Sequence, residues 1–354
     1  MKNIEKYVSL LGGEVDGLLL TSRYSRYYSA EYDIAEGIAI VTKAGCRYFT
    51  DSRYIEAAQK GIVGFEVQEM NRANPYAQLI NKAIEDYGIT TLGYEEDYLT
   101  VAELRSFESK LNASLVPMSA QINGFRAIKE AWELELMRRA QDITDKAFSE
   151  VLTRIKAGMT EKELQADLIY CLLKNGGDGL AFDPVVVSGP TTSLPHGVAG
   201  DRVIREGDFI TMDFGATYKG YCADMTRTVA VGNATDEMKE VYSVVLKAQE
   251  TAIAATKAGV AGKEIDGIAR RIITEAGYGQ YFGHSYGHSL GMEVHETPNC
   301  SPSGETIMRV NMVSSAEPGI YLPGKFGVRI EDVVIFKEDG CENITHSPKN
   351  LIII

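Results

Sequence analysis

Over the first 124 residues, short apolar runs alternate with stretches of helical period. Gly17 to Thr21, Gly37 to Thr42 and Arg47 to Thr50 read as strands, and Ile55 to Lys60 and Pro75 to Tyr87 as helices. This alternation predicts a small α/β domain. Asn123-Gly124, inside AQINGFR, is a turn signal and marks a boundary, which gives domains 1–124 and 125–354.

The pattern then becomes helical. Leu136, Ala140, Ile143, Ala147 and Val151 recur at three- and four-residue spacing and predict one long helix over Ala131 to Lys156, stopped by Gly158. Thr160 with Glu163 forms a capping box that opens a second helix, which runs out near Gly176. The same layout returns later. Thr235 caps a helix carrying Val241, Val244, Ala248 and Ala252, and KAGMTEKEL at Lys156 is echoed by KAGVAGKEI at Lys257, 101 residues on. Lys-Ala-Gly alone is a common helix stop. Each half, however, goes on to a histidine (His196, His295) and a pair of acids (Asp213 with Asp224, Glu317 with Glu331). That shared order predicts an internal duplication with a pseudo-twofold axis.

Composition narrows the task. The 354 residues suffice for two domains and a sizeable core. The net charge of −13 argues against nucleic acid or an anionic membrane as partner. No apolar run reaches membrane-spanning length, and Gly12, Gly13, Glu14 and Asp16 interrupt the first apolar stretch, which does not read as a signal peptide. The five cysteines are scattered without a CxxC pair, which suggests a reducing, cytoplasmic location.

The chemistry concentrates late in the chain. Asp213, Asp224, His288, Glu317 and Glu331 stand in TMDFGATYKGYCADMTRT, FGHSYGHSLGMEVHE, AEPGIYLPG and GVRIEDVV. Phe209 to Phe214 reads as a strand, Gly215 to Gly220 as a loop and Tyr221 to Val229 as the return strand. Folding that hairpin brings Asp213 and Asp224 together, and a turn over Pro323 to Gly327 does the same for Glu317 and Glu331. Facing carboxylates repel unless they are protonated or hold a cation. Four carboxylates and one imidazole suit a pair of divalent first-row ions, Mn²⁺ first, with Co²⁺ or Zn²⁺ as alternatives. Such a pair activates a water for hydrolysis. One aspartate on a strand is most often a solvated group. Here three of five histidines (His284, His288, His295) fall in the same motifs, a fourth, His196, stands in SLPHG just before them, and Gly283, Gly287 and Gly291 allow close backbone packing there.

These motifs resemble those of the Xaa-Pro peptidases, aminopeptidase P and prolidase, of the pita-bread metallopeptidase group. SLPHG, DFGATYKGYCADMTRT, GHSLGMEVHE, EPGIYLPG and GVRIED carry the resemblance in the second half; DGLLLTS, YFTDSRYIEAA and FRAIKEAWELELMRRA carry a looser one to a creatinase-type N-terminal domain in the first. The resemblance implies an α/β creatinase-like domain followed by an α+β pita-bread catalytic domain. It implies a proline-containing peptide as substrate and a homodimer. By position, Asp213 would bind one metal, Asp224 and Glu331 would bridge two, and His288 and Glu317 would complete the second. Glu317 would also transfer the proton, His295 would bind the scissile carbonyl, and His196 and His284 would line the substrate pocket. Arg329 would support the bridging glutamate, and Thr226 would orient an aspartate ligand. Ser315 and Ala316 replace the usual threonine and branched aliphatic before Glu317 and predict looser packing there. Asn311 replaces a common glycine, and Tyr24 to Ala30 departs from the family pattern. The altered segment tilts the reading toward an aminopeptidase, with dipeptidase as the near alternative. Methionine aminopeptidase lacks both the N-terminal domain and the spacing of His284, His288 and His295, creatinase lacks the metal ligands, and a non-catalytic binding module would have lost some of them.

Overall fold

In the computed structural model, which describes residues 3–354, the chain forms two compact units, one ending at Arg126 and the other spanning Ala127–Ile354. The first holds a six-stranded sheet of β1 (Gly17–Leu20), β2 (Ile38–Thr42), β3 (Cys46–Asp51), β4 (Glu66–Met70), β5 (Thr91–Tyr94) and β6 (Ser114–Pro117), in the order β4-β3-β2-β1-β5-β6. β1, β2 and β3 are antiparallel neighbours, and the outer strands join in parallel. Its helices are α1 (Asn3–Val8), α2 (Arg23–Ala30), α3 (Ile55–Gly61), α4 (Tyr76–Tyr87), α5 (Val101–Lys110) and α6 (Ser119–Gly124). The predicted strands and helices of this half all form. Asn123-Gly124, read as a turn, is instead the last turn of α6. The altered segment Tyr24 to Ala30 is helical. Ser22 caps it, and the buried Glu95 carboxylate accepts from the Thr21 and Ser22 amides and from the Ser22 and Ser25 hydroxyls.

The second unit has α7 (Ala131–Leu152), α8 (Glu161–Lys174), β7 (Gly179–Leu180), β8 (Val185–Ser188), β9 (Phe209–Phe214), β10 (Ala216–Tyr218), β11 (Tyr221–Cys222) and β12 (Met225–Ala230). It continues with α9 (Asp236–Ala255), α10 (Gly262–Glu275), β13 (Gly287–Ser289), β14 (Glu296–Cys300), β15 (Val313–Ala316), β16 (Gly319–Leu322), β17 (Phe326–Arg329), β18 (Asp332–Phe336) and β19 (Cys341–Asn343). α7 stops at Leu152, four residues short of the expected Lys156. Its buried stripe runs through Leu134, Met137, Ala140 and Ile143, whereas Leu136 is only half-buried. In α9, likewise, Val245 rather than Val244 faces the core. The capping box of α8 is complete: the Glu163 amide donates to Thr160 Oγ1 and the Thr160 amide to the Glu163 carboxylate. Such a cap contributes about 1 kcal/mol.

The two halves repeat in detail. The Gly158 amide donates to Ile204 O and the Ile204 amide to Met159 O; Gly259 with Met308, and Met308 with Val260, make the same bonds. Each helix pair covers its own core. Ile143, Phe148, Leu164 and Leu168 pack on Ile210, Met212 and Phe214, and Val241, Val245, Ile265 and Ala269 pack on Ala316, Ile320 and Val328. Burial of each large aliphatic contributes about 1.5–3 kcal/mol, so these two clusters dominate the stability of the unit. Among the described residues no helix is long and apolar enough to cross a membrane.

Candidate metal centre

Strand alternation places the acids. Ile210, Met212 and Phe214 of β9 turn into the core under α7 and α8, so Asp213 turns the opposite way. β12 pairs with β9 in the register Thr226↔Asp213. The return of the hairpin is not one strand as expected: it breaks at Ala223-Asp224, and the expected loop at Gly215 to Gly220 contains the short strand β10, which pairs with β11 at the start of the return. The break lets Asp224 leave the sheet at the end of the β9–β12 ladder. Glu317 follows β15 and Glu331 lies between β17 and β18, the corresponding positions of the second half. His288 is in β13 beside β15. A Cβ at Gly287 would come within 2.0 Å of Ser315 O, so only glycine lets these strands approach. A Cβ at Gly283 would meet nothing within 4 Å, so the expected packing role there does not hold.

All five candidate ligands line one cavity of about 460 Å³, together with His196, His284, His295 and Arg329. His288 Nε2 lies 3.2 Å from Glu317 Oε1 and 3.6 Å from Asp224 Oδ2. His288 Nδ1–H donates to Ser289 O at 3.1 Å, which leaves Nε2 to face the carboxylates. Ligand atoms of Asp224, His288 and Glu331 all fall within 4.8 Å of one another. Burial, then the neighbouring Asp213, pushes the Asp224 carboxyl well above its ordinary range. Burial, then Asp224, does the same to Glu331. Burial also raises Asp213 against the pull of Arg329. Burial opposes charge on Glu317 too, but the His288 hydrogen bond wins and holds it at about 2, while His288 is lifted to about 9 by the same contact.

The donor set fits divalent cations. Four carboxylates converge on one buried space, and Asp213 Oδ1 is buried there without a hydrogen-bond partner. Buried like charges of this kind need a counter-ion or protons. The outer partners are also set. Arg329 Nη2 donates to Asp213 Oδ2 at 2.6 Å, its Nε to Thr226 Oγ1 at 3.0 Å, and its Nη1 to the Tyr321 hydroxyl at 2.8 Å. Thr226 Oγ1 donates to Glu331 Oε2 at 2.6 Å, so this threonine orients a glutamate and not, as expected, an aspartate. Arg329 holds Asp213 directly and reaches Glu331 only through Thr226. Tyr321, which sequence reasoning passed over inside EPGIYLPG, also touches His284: His284 Nδ1–H donates to Ser285 O, and Nε2 is 2.9 Å from the Tyr321 hydroxyl. The packing behind Glu317 is not loose. The fully buried Ser315 hydroxyl donates to Glu317 Oε1 and accepts from the His288 amide, both at 3.0 Å. Asn311 stands at φ +66°, the left-handed region that glycine and then asparagine tolerate best. His295 is exposed at the cavity rim, its ring 4.4 Å from that of His288. His196 is also exposed there.

The model of metallopeptidase family M24 matches residues 135–338, and that of the creatinase/prolidase N-terminal domain matches residues 9–128. The chain belongs to metallopeptidase family M24. It is an enzyme, a hydrolase of a metallopeptidase family, which implies divalent metal ions, and its creatinase-type domain precedes a pita-bread catalytic domain in the chain. This metallopeptidase is similar to the Xaa-Pro dipeptidase of Pyrococcus horikoshii, 35% identical over 99% of both chains. Among solved structures it resembles a Xaa-Pro dipeptidase from Bacillus anthracis (41% identity, TM-score 0.96, 100% of this chain and 99% of that one). It also resembles an X-Pro aminopeptidase from Thermotoga maritima (40%, TM-score 0.94, all of both chains).

Proposed function

We propose that this M24 peptidase removes an N-terminal residue from a following proline, using two divalent ions, Mn²⁺ first, at Asp213, Asp224, His288, Glu317 and Glu331. The observation that carries this reading is the convergence of four carboxylates, Asp224 and Glu331 buried and Asp213 and Glu317 half-buried, and of His288 Nε2 on one cavity whose rim also presents His295. The relatives' names supply proline as the second residue. Bound ions at this site supply Lewis acidity and a water acidic enough to act as a nucleophile near neutral pH. Glu317 accepts the proton of the attacking water and returns it to the proline nitrogen as that nitrogen leaves. Like any amide nitrogen, the proline nitrogen must gain a proton to depart as a neutral amine, so this delivery is required. His295 donates a hydrogen bond to the carbonyl oxygen as charge develops on it. His196 and His284 line the cavity that receives the substrate. Arg329 and Thr226 keep Asp213 and Glu331 in register for the ions.

The first reading is an aminopeptidase, the activity in the Thermotoga relative's name, here taken to accept chain beyond proline. The second is a dipeptidase, favoured by the Pyrococcus and Bacillus names. Matched substrates with proline second decide between them. Both di- and tripeptide should be cleaved in added Mn²⁺, with kcat/KM of the same order. An inert tripeptide beside a good dipeptide makes the enzyme a prolidase, and cleavage of only non-proline dipeptides removes proline specificity altogether. We place the enzyme in the cytoplasm as a homodimer. Sedimentation at micromolar protein should show twice the 38.8 kDa chain mass, and a monomer there contradicts the dimer.

A further inference from the structure

The segment FRAIKEAWE contains a lysine that the catalytic reading leaves without a task. Lys129 is 1% exposed and its Nζ lies 2.9 Å from Glu296 Oε2, whose side chain is 4% exposed. The other oxygen of Glu296 accepts from the Met292 amide at 3.0 Å and the Glu293 amide at 3.2 Å. The lysine is itself anchored, since its own amide donates to Asn311 O. The loop over the pair is shaped to fit it. A Cβ at Gly291 would come within 2.9 Å of Glu296 Oε2 and 3.0 Å of Lys129 Cε. Glu296 opens β14 directly after His295.

We infer that Lys129 and Glu296 are a positioning pair for His295, holding the 291–296 loop so that the imidazole stays at the cavity rim. His295 is joined directly to Glu296, the buried first residue of β14, so fixing Glu296 inward restricts where the exposed imidazole before it can stand. A buried ion pair roughly breaks even against apolar residues of the same volume, so fold stability does not explain why charge is kept here. What the charges add is a fixed address. Two carboxylate oxygens with three donors hold one geometry, which an apolar contact would leave free to slide. The inference rests on His295 acting at the scissile carbonyl. Its loss is therefore one of transition-state stabilisation, which lowers kcat and leaves KM in place.

The test is a double-mutant cycle. Lys129→Met, Glu296→Gln and His295→Ala are prepared singly, and Lys129→Met also in the His295→Ala background, all with metal content measured. Lys129→Met should lower kcat by about tenfold to a hundredfold, the range for losing a group that orients another, at unchanged KM and metal stoichiometry. In the His295→Ala background it should change kcat by less than about twofold, because the two act as one unit. If Lys129→Met does not fold, Lys129→Met/Glu296→Met, which leaves no charge unpaired, takes its place in the cycle. Full kcat in a folded clamp variant, losses that multiply with that of His295→Ala, or lost metal would each overturn the proposal. Full turnover of His295→Ala itself would instead remove the role of His295, and the positioning role with it.

Discussion

Glu317→Ala should lower kcat/KM by at least about two orders of magnitude, the scale for losing general acid–base catalysis alone. The side chain has two tasks that no neighbour duplicates. It faces His288 Nε2 at 3.2 Å as a candidate ligand, and it is the carboxylate assigned to carry the proton. Folding should survive, because what the position contributes to the framework is main chain: the Glu317 amide donates to Tyr286 O at 2.8 Å whatever the side chain. Glu317→Gln separates the two tasks. It keeps an oxygen that accepts from Ser315 and can coordinate a cation but cannot take a proton, so it should retain more metal than Glu317→Ala at similarly low turnover. The checks are steady-state kinetics with metal analysis and circular dichroism. Near-wild-type turnover of a fully metal-loaded alanine variant would remove Glu317 from the mechanism.

Stripping the protein of divalent ions with a chelator should abolish activity and lower the melting temperature, and added Mn²⁺ should restore both. A ligand that binds only the folded chain at a hundred times its Kd contributes about 2.7 kcal/mol. The pH dependence has a definite sign. Without a cation, burial and then Asp213 hold Asp224 above its ordinary range, and burial and then Asp224 do the same to Glu331. His288 is raised to about 9 against burial by its bond to Glu317. Groups whose folded value is raised contribute stability that is fully present below the unfolded value and is lost as pH rises through the folded one. Glu317, held at about 2, works in the opposite sense, but its contribution is lost only in acid far below this window. The stripped protein should therefore lose stability between about pH 6 and pH 9 relative to the loaded one. Metal uptake should release protons, because its ligands must be deprotonated to bind. Melting curves at the two pH values and calorimetry in buffers of different ionisation enthalpy measure both. A stripped protein as stable at pH 9 as at pH 6, with no proton release, would mean that the carboxylates do not share one site.

The periodic features were legible without coordinates because they are local. A capping box, a helical stripe and a hydrophobic strand each depend on residues within one or two turns, and Thr160 with Glu163 behaves as the pattern predicts. The duplication was legible because each half repeats the same order of helices, histidine and acids, and the matching bonds of Gly158 and Gly259 follow from it. The sites of misreading share a cause as well. Leu136 and Leu134 are both apolar, and only packing against the sheet decides which is buried. The partner of Thr226 depends on how the β17–β18 junction meets β12, since Asp213 lies opposite it in the ladder but Glu331 takes its hydroxyl. Tyr321 reaches Arg329 and His284 only because β16 folds back on β17. Lys129 and Glu296 lie 167 residues apart and share no motif. The sequence by itself thus determined which residue types are present for metal chemistry and which elements carry them. Tertiary structure alone decided which oxygen faces which nitrogen, because those distances are set by side-chain packing between strands far apart in the chain.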